Sequence, residues 1–484
     1  MEKKQLKISY FAGTIGSILL FFIGWEYNIP LMAWIAFPIL IFSFRSIDKW
    51  KHTLPLLPLM IAAKLVSIHK GWDINLWMEL GFSIIVLIPL ITALYIDRVY
   101  NKYLNPFLGT LVFPCIYIIL DYFLTYANLG MTFSLAYSQS TFLEFIQIAS
   151  IFGSWFAGFV TAWFAPVAIL FIANKNKLKT VWKPLTAYFT ILCFIILFGC
   201  FRLAFNKPSS KTVRIASITE EQKEDYWRIT DNKTPRNEAD KHKAGMKQIE
   251  EGLFASSKKA ADYGAKIIFW SEGNCPMYED DYNAFLERAK LFAKENKVYF
   301  MPSAVVLLYG RDKNDNLAIM INPQGEVEYR YEKTISWYPS DSDGKIPVIN
   351  TPYGKISTAI CFDMDYPHLI AQAKDADIML VPAMDTKKIA DYHTRVAFLR
   401  GIENGFTVIR QSNKGASISA DYMGNTLSYQ NFYNTDRRIM ITDAPTKGKW
   451  TFYGFIGEIF LCSVFVGFIV LNVWHFRRIL KSRG

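Results

Sequence analysis

The chain has 484 residues, of which 52% are hydrophobic and 20% are charged, and its mean hydropathy is +0.15. Residues 1–206 hold 15 Lys and Arg against 8 Asp and Glu, so most of the formal net charge of +11 lies in an apolar region. This distribution excludes a purely soluble protein and argues against nucleic-acid binding, which needs basic residues clustered on a globular face. Six cysteines are too few for a scaffold held together by disulfides.

Long apolar segments fill the first 206 residues, and one more lies near the C-terminus. A bilayer core needs about 20 apolar residues per helix. The sixth segment contains Gly153 and Pro166, which predict a broken or tilted helix. We expect membrane spans at residues 8–25, 29–44, 54–68, 76–96, 107–126, 146–173, 184–205 and 452–475.

The basic residues of the loops predict the orientation of these spans. When loops are counted alternately from a cytoplasmic N-terminus, the short loops of the outer side receive only Lys70. Basic residues near spans favour the cytoplasmic side, so residues 207–450 are predicted to face the periplasm or its equivalent. The cytoplasmic side receives Lys3, Lys4, Lys7, Arg45, Lys49, Lys51, Arg98, Lys102, Lys175, Lys177, Lys179, Lys183, Arg477, Arg478, Lys481 and Arg483.

Four ionisable residues lie in or near the apolar spans: Lys64, Glu79, Asp121 and Glu144. Charged groups inside a membrane are costly and often functional. They either contribute to a substrate pathway or pair within the helical bundle, and the sequence leaves both interpretations open.

From Val213 onward, short β-rich runs alternate with helical patterns, which predicts an α/β layered domain with a mixed sheet. We expect helices at about 237–263, 281–295, 367–374 and 389–404. We expect strands at 213–219, 266–272, 298–308, 317–323, 327–333, 356–363, 377–384 and 406–412. The domain organisation is therefore a membrane domain over 1–206, a catalytic domain over 207–450, and a transmembrane helix with a basic cytoplasmic tail over 451–484.

The soluble domain lacks the sequence motifs of the best-known hydrolase, nucleotide and zinc sites, among them G-x-S-x-G, the phosphate loop and H-E-x-x-H. Its only two cysteines are Cys275 and Cys361. Cys361 follows a predicted strand, where α/β proteins build sites. A cysteine nucleophile needs a base and donors for an oxyanion, although a cysteine at a strand end is by itself more often structural.

Two other predicted strands end on the missing groups, one on Glu272 in F-W-S-E and one on Lys333 in Y-x-K. Together with C-F-D at Cys361, this Glu–Lys–Cys order resembles the nitrilase, or carbon–nitrogen hydrolase, superfamily. With seven spans before it and one after, the chain more closely resembles the bacterial apolipoprotein N-acyltransferases. The resemblance implies an αββα sandwich.

Further residues match the long helix and the following strand of that family: His393, Ala397, Arg400, Glu403, Arg410, Asn413, Gly415, Asp421 and Gly424. Of these, we expect His393, Glu403 and Arg410 to be structural and to pair around the helix.

Two loops depart from the family pattern. After Lys333 the family usually reads L-V-P-F-G-E, and here Asp341 stands at the spacing of the glutamate. After the cysteine the family usually reads N-D-x-W-F, and here the loop reads Pro382-Ala383-Met384-Asp385-Thr386. In the cysteine motif itself, Asp363 stands where the family has a glutamate. We expect Asp341 and Asp363 either to support the site or to cap turns. Trp337 and Tyr338 are expected to contact substrate or to anchor at the membrane interface.

The resemblance implies an N-acyltransferase with ping-pong chemistry. Glu272 would be the base, Cys361 the nucleophile, and Lys333 with the N–H of Phe362 the oxyanion donors. The acyl donor would be a phospholipid and the acceptor the N-terminal amine of a diacylglyceryl-cysteine lipoprotein. The enzyme would be a monomer in the cytoplasmic (inner) membrane, with its catalytic domain outside the cytoplasm and with no cofactor, metal or nucleic acid.

Two alternatives remain open. The protein would otherwise be a membrane-tethered amidase that uses water as the acceptor, or an inactive receptor for lipoproteins. The three retained residues argue against an inactive receptor.

Overall fold

The structure is a computed structural model that describes residues 3–71, 74–222, 236–309, 314–336 and 339–483. The chain divides into two compact units. Met1–Asn206 and Phe455–Gly484 form one, which we call the helical unit. Lys207–Gly454 forms the other, which we call the α/β unit.

The helical unit consists almost entirely of apolar helices. In addition to the helices of residues 1–206, it contains the C-terminal helix Ile459–Arg483. The helices of residues 1–206 are α1 Lys3–Leu19, α2 Leu31–Ser46, α3 Leu56–Ile68, α4 Leu76–Ile85, α5 Ile88–Tyr100, α6 Pro106–Leu124, α7 Leu143–Ile146, α8 Ala149–Phe152, α9 Ser154–Ala173 and α10 Leu178–Phe205.

Among the described residues, 6 helical segments are long and apolar enough to cross a membrane. Shorter apolar helices occur at Leu31–Ser46, Leu143–Phe152 and Ile459–Val473. The second predicted span therefore falls on a short helix of 16 residues, whereas the eighth falls on the C-terminal helix Ile459–Arg483. The long segments are Lys4–Phe22, Trp50–Ile68, Leu76–Tyr100, Pro106–Ala127, Ser154–Ala173 and Trp182–Phe205.

The sixth predicted span, 146–173, is broken at Gly153. This residue has a φ of 77°, which residues with a side chain rarely adopt, and it separates α8 from α9. The helix α9 then continues through Gly158 and Pro166.

Three of the four ionisable residues in the predicted spans have partners inside the helical unit. The ammonium of Lys64 donates to the carbonyl of Ile23. Glu79 accepts a hydrogen bond from the backbone N–H of Lys70 at 2.6 Å. Asp121 is buried and accepts from two donors of the following turn. These contacts favour the structural interpretation of these residues.

The α/β unit contains all the strands of the described chain. They are β1 Thr212–Ile218, β2 Ile267–Trp270, β3 Pro276–Tyr278, β4 Tyr299–Met301, β5 Ser303–Leu307, β6 Asn314–Ile321, β7 Val327–Glu332, β8 Val348–Thr351, β9 Gly354–Thr358, β10 Ile378–Met384, β11 Thr407–Asn413, β12 Ala416–Ala420, β13 Thr426–Asn431 and β14 Ile439–Pro445. The helices that follow α10 are α11 Arg236–Asp262, α12 Glu279–Asn296, α13 Pro367–Ile370, α14 Ala390–Asn404 and α15 Phe452–Ile456.

The strands form two mixed sheets that pack face to face. The first has the order β14-β1-β2-β4-β6-β5-β3, with β7 paired to β6, and the second has the order β13-β12-β11-β10-β9-β8. Successive side chains of a strand point to opposite faces. In β1, Ile215 packs between the sheets, whereas Ile218 packs against α11 and α12. With α13 and α14 next to the second sheet, the unit is an αββα sandwich, which confirms the predicted fold class.

Candidate active site

Three strand ends bring Glu272, Lys333 and Cys361 together. Glu272 lies two residues after β2, Lys333 directly follows β7, and Cys361 opens a 3₁₀ turn shortly after β9. The first two strands belong to one sheet and β9 belongs to the other. Glu272 is 4% exposed and Cys361 is 5% exposed, so the cluster is buried between the sheets.

Glu272 and Lys333 form a direct ion pair. Nζ of Lys333 lies 2.7 Å from Oε1 of Glu272. Burial lowers the pKa of Lys333, but the negative charges of Glu272 and of an ionised Cys361 outweigh it and raise the pKa above its usual value. Lys333 is therefore a fixed cation. The same oxygen of Glu272 also accepts a hydrogen bond from Nδ2 of Asn316 at 2.7 Å, a contact that the sequence did not predict.

Cys361 has a backbone conformation that is rare for a residue with a side chain. Its φ is 50°, in the left-handed region. Its Sγ lies 3.5 Å from the carbonyl oxygen of Met384. Burial and then the charge of Glu272 raise the pKa of the thiol, while Lys333 and Arg410 act in the opposite direction. The resting group is a thiol that needs a base before it can react.

Asp363 fixes the turn that carries Cys361. It is fully buried and accepts hydrogen bonds from the backbone N–H of Ile360 at 3.0 Å and of Ile335 at 2.7 Å. It also accepts one from the hydroxyl of Tyr331 at 2.7 Å. Burial raises its pKa to about 6, and the charge of nearby Lys333 limits the rise. Asp363 therefore ties the loop after Lys333 to the turn that carries Cys361.

Arg410, for which the sequence predicts pairing around the long helix, also contacts the thiol. Its Nη2 lies 3.8 Å from Sγ of Cys361. Its two terminal nitrogens bind both oxygens of Asp385, at 2.5 Å and 3.0 Å. Nδ1 of His393 lies 2.8 Å from Oδ1 of Asp385. His393 and Thr394 lie on that helix, so Arg410 and His393 pair around it as expected, and Arg410 contacts Cys361 in addition.

Glu403 also pairs along the helix as expected: its Oε2 lies 2.9 Å from Nη1 of Arg400. The strand order contains a signal for the arginine cluster. β9 and β10 are parallel neighbours, so Asp385, directly after β10, lies at the same sheet edge as Cys361. Arg410 lies beside Val381 in the parallel register of β10 and β11, and its side chain reaches Asp385 from there.

Of the remaining predicted site residues, Phe362 directly follows Cys361, one residue is exposed, and two lie outside the described chain. Asp341 is exposed, and its backbone N–H donates to Glu332. Phe362 is half-buried and its ring packs against Tyr366. The predicted substrate contacts Trp337 and Tyr338 lie outside the described residues.

The second cysteine of the α/β unit is in a different environment. Cys275 lies in the core between the first sheet and its helices. Burial, followed by the charge of Glu250, raises the pKa of its thiol well above the usual value. This environment is typical of a structural cysteine.

The cluster around Cys361 contains three side chains of a type that can bind metal ions. Ligand atoms of Cys361, Asp385 and His393 all lie within 4.8 Å of one another. Nη2 of Arg410, however, lies 3.0 Å from Oδ1 of Asp385 and 3.1 Å from Nδ1 of His393. The guanidinium thus supplies the positive charge that a metal ion would otherwise bring.

Comparison with known proteins gives the class of the α/β unit. Residues 235–439 match the family model of carbon–nitrogen hydrolases, so the chain carries a carbon–nitrogen hydrolase domain. The resemblance inferred from the motifs is thereby confirmed for this domain. An amidase from Nesterenkonia sp. is similar in structure, with 16% identity and a TM-score of 0.38 over 49% of this chain and 92% of that one.

Longer similarities are to proteins named apolipoprotein N-acyltransferases. The apolipoprotein N-acyltransferase of Borreliella burgdorferi is 23% identical over 383 residues, which cover 70% of this chain and 70% of that protein. Apolipoprotein N-acyltransferase 1 of Treponema denticola is 23% identical over 78% of this chain and 79% of its own length. A formamidase of Bacillus cereus is 32% identical over only 22% of this chain and 31% of its own length. The closer resemblance to the apolipoprotein N-acyltransferases is confirmed.

Proposed function

We propose that this protein is a membrane acyltransferase that moves a fatty acyl chain from a phospholipid, through a thioester on Cys361, to the N-terminal amine of a diacylglyceryl-cysteine lipoprotein. One observation carries the proposal. The buried cluster of Glu272, Lys333 and Cys361 occurs in a chain whose similarity to apolipoprotein N-acyltransferases extends over 70% or more of its length.

The first half-reaction forms the thioester. Glu272 takes the proton of the Cys361 thiol, and the thiolate attacks the ester carbonyl of the phospholipid. Lys333 and the N–H of Phe362 stabilise the negative charge that develops on the carbonyl oxygen. The C–O bond then breaks, and the lysophospholipid leaves with the proton that Glu272 had accepted.

The second half-reaction uses the same groups with a different nucleophile. The neutral N-terminal amine of the lipoprotein attacks the thioester carbonyl, and Glu272 accepts a proton from the nitrogen. Lys333 again stabilises the oxyanion. The C–S bond breaks, an amide forms, and the thiolate of Cys361 recovers its proton from Glu272.

Both substrates of this reaction are held in lipid, which gives the helical unit its role. The α/β unit works on the extracytoplasmic side of the cytoplasmic membrane. This orientation is supported by the basic residues, sixteen of which lie on the predicted inner side against Lys70 in the short outer loops. The protein acts as a monomer.

A second function, hydrolysis of a C–N bond with water as the acceptor, is favoured by one observation. The formamidases share 31–32% identity with 111 residues of this chain. The similarity over the helical region favours acyl transfer, since a hydrolase of a small soluble amide has no use for that region.

Mass spectrometry of lipoprotein N-termini separates the two functions. Cells that lack the protein should contain lipoproteins whose terminal amine is free, and complementation should restore one amide-linked acyl group. Complementation with Cys361→Ala should fail. Unchanged N-termini in the deletion strain would contradict acyl transfer, and release of a small amine or ammonia from an amide by the purified protein would support hydrolysis.

A further inference from the structure

A second cation, in addition to Lys333, lies against the nucleophile. Arg410 is 0% exposed, and its Nη2 is 3.8 Å from Sγ of Cys361. This distance corresponds to a weak hydrogen bond to a thiol and to a close ion pair with a thiolate. Arginine remains charged even when it is buried.

The position of this guanidinium is fixed on every side. Nη1 binds Oδ2 of Asp385 at 2.5 Å and Oγ1 of Thr394 at 2.7 Å. Nη2 binds Oδ1 of Asp385 at 3.0 Å. A bidentate arginine–carboxylate pair combines strength with defined geometry. Arg410 therefore cannot turn away from Cys361 without breaking these bonds.

The carboxylate that holds Arg410 is itself anchored. Oδ2 of Asp385 accepts a hydrogen bond from Oγ of Ser412 at 2.7 Å, and Oδ1 lies 2.8 Å from Nδ1 of His393. Nε2 of His393 lies 3.2 Å from Oδ1 of Asp365. The result is a continuous buried chain from Asp365 through His393 and Asp385 to Arg410.

The charges of Glu272, Lys333 and Cys361 alone do not favour a thiolate on Cys361. Nζ of Lys333 is already engaged with Glu272 at 2.7 Å. Burial and the charge of Glu272 both raise the pKa of the Cys361 thiol. The negative charge of Asp385 also raises the pKa of the thiol. Of the ion pair formed by Arg410 and Asp385, however, it is Arg410 that contacts Sγ, through Nη2.

We propose that Arg410 is a fourth catalytic residue that stabilises the thiolate of Cys361 by direct ion pairing, and that Asp385 and His393 are positioning residues that hold it there. The proposal rests on the proposed function only in assigning the nucleophile to Cys361. The thiolate is stabilised before the ester is attacked, and again when the thioester breaks and releases it.

Alkylation of Cys361 tests this inference without lipid or lipoprotein. The full-length protein in detergent is treated with iodoacetamide from pH 6 to pH 10, and mass spectrometry follows the modified Cys361 peptide. An opposite charge at this distance typically shifts a pKa by about 1 to 3 units. Arg410→Gln should therefore raise the midpoint of the pH–rate profile by at least about 1 unit and slow alkylation at pH 7.5 at least tenfold.

Arg400→Gln is the matched control. Arg400 is also 0% exposed, and it pairs with Glu403 instead of contacting the thiol. Its substitution should leave the alkylation midpoint of Cys361 unchanged, whereas Arg410→Lys should restore part of the effect because a charge remains. A folded Arg410→Gln protein with a wild-type profile, or an equal shift in Arg400→Gln, would overturn the inference.

If Arg410→Gln does not fold, the Lys333→Gln variant tests whether a second cation stabilises the thiolate. With Arg410 as a second cation, Cys361 should still titrate in that variant and react below pH 10. A Cys361 that stays silent up to pH 10 would show that Lys333 alone forms the thiolate. If the variants change alkylation as expected but the wild-type enzyme never acylates lipoproteins, the proposed function is refuted and the role of Arg410 stands.

Discussion

The turn that presents Cys361 is held in a conformation that costs an L-residue about 1–2 kcal/mol. The hydrogen bonds that Asp363 accepts from Ile360 and Ile335 keep it there. Asp341 is exposed in the loop after Lys333. At the scale of single residues, the geometry therefore separates two carboxylates that the sequence treated alike.

Substitution of these two carboxylates should give opposite results. Asp363→Ala leaves the N–H groups of Ile360 and Ile335 without their acceptor, which costs about 1–3 kcal/mol for the buried N–H of Ile360. We expect a lower melting temperature and at least a tenfold loss of acyl transfer, because Cys361 loses its position. Asp341→Ala, the matched control, should change turnover by less than twofold. A tenfold loss in Asp341→Ala with a normal Asp363→Ala would make Asp341 the supporting carboxylate.

The stability of the protein should depend on His393 at alkaline pH. Asp365, Asp385 and Arg410 surround its ring. Burial lowers its pKa, but the charge of Asp365 and the hydrogen bonds to both carboxylates outweigh burial and raise the pKa from 6.5 to about 9. The folded state then binds more protons than the unfolded state between these two values, so stability falls as the pH rises through that window.

Thermal unfolding of the full-length protein at pH 6, 7.5 and 9 measures this contribution. A pKa shift of about 2.5 units for His393 corresponds to at most about 3 kcal/mol of folding stability. This stability is fully present below pH 6.5 and lost near pH 9. His393→Gln should remove this part of the pH dependence. Identical pH profiles for the wild type and His393→Gln would show that the imidazole does not carry the proton.

That Glu272, Lys333 and Cys361 come together is predictable from the sequence, because each stands at the end of a strand-like run and the three occur in a known order. The contact of Arg410 with Cys361 is not predictable, since it depends on which strands become neighbours. Nothing in the local sequence of β11 indicates that Asp385, 25 residues earlier, is the partner of Arg410.

At the scale of elements, the sequence predicts the alternation of strands and helices but not where the strands break. The predicted run 298–308 is divided at Pro302 into β4 and β5. β4 pairs with β2, whereas β5 pairs with β3. Proline lacks the N–H that continues a ladder, so the break has a local cause, but the change of partner is a property of the whole sheet.

The end of α14 is fixed by a close contact of the backbone. Gly405 follows the helix with a φ of 84°, and a Cβ there would lie 1.6 Å from the carbonyl oxygen of Lys449. Gly264 has almost the same φ of 85°, and a Cβ there would have nothing within 4 Å of it. The two glycines therefore differ only in the steric contact.

Alanine substitutions at the two glycines separate backbone strain from steric clash. Gly264→Ala should cost about 1 kcal/mol from the left-handed conformation alone. Gly405→Ala should cost at least about 2 kcal/mol more, because backbone must move to make room, and it should lower activity since α14 carries His393. Thermal unfolding of both variants gives the comparison, and equal losses would contradict the close contact.

At the scale of the whole molecule, charge and hydropathy divide the chain into the same kinds of region as the structure does. The helical unit holds the segments long enough to span a membrane, and the α/β unit holds the carbon–nitrogen hydrolase domain. The lengths of individual helices are less predictable. The second expected span, 29–44, is a helix of only 16 residues, Leu31–Ser46, whereas the break of 146–173 is indicated by Gly153 itself.

Reporter fusions test the orientation predicted from the basic residues. Alkaline phosphatase is active only outside the cytoplasm. Fused after residue 210 it should be active, and fused at the C-terminus it should be inactive, because the basic loops and tail remain inside. The reverse pattern would place the α/β unit in the cytoplasm, on the wrong side for the proposed substrates.

The central claim, that Cys361 carries the acyl chain, is tested most directly by the mass of the enzyme itself. Wild-type protein given phospholipid without an acceptor should gain the mass of one acyl chain on Cys361, and hydroxylamine should release it. Cys361→Ala and Glu272→Gln should gain none, because one lacks the nucleophile and the other the base. An adduct on Cys275, or acyl transfer that continues with no adduct on any cysteine, would contradict the account.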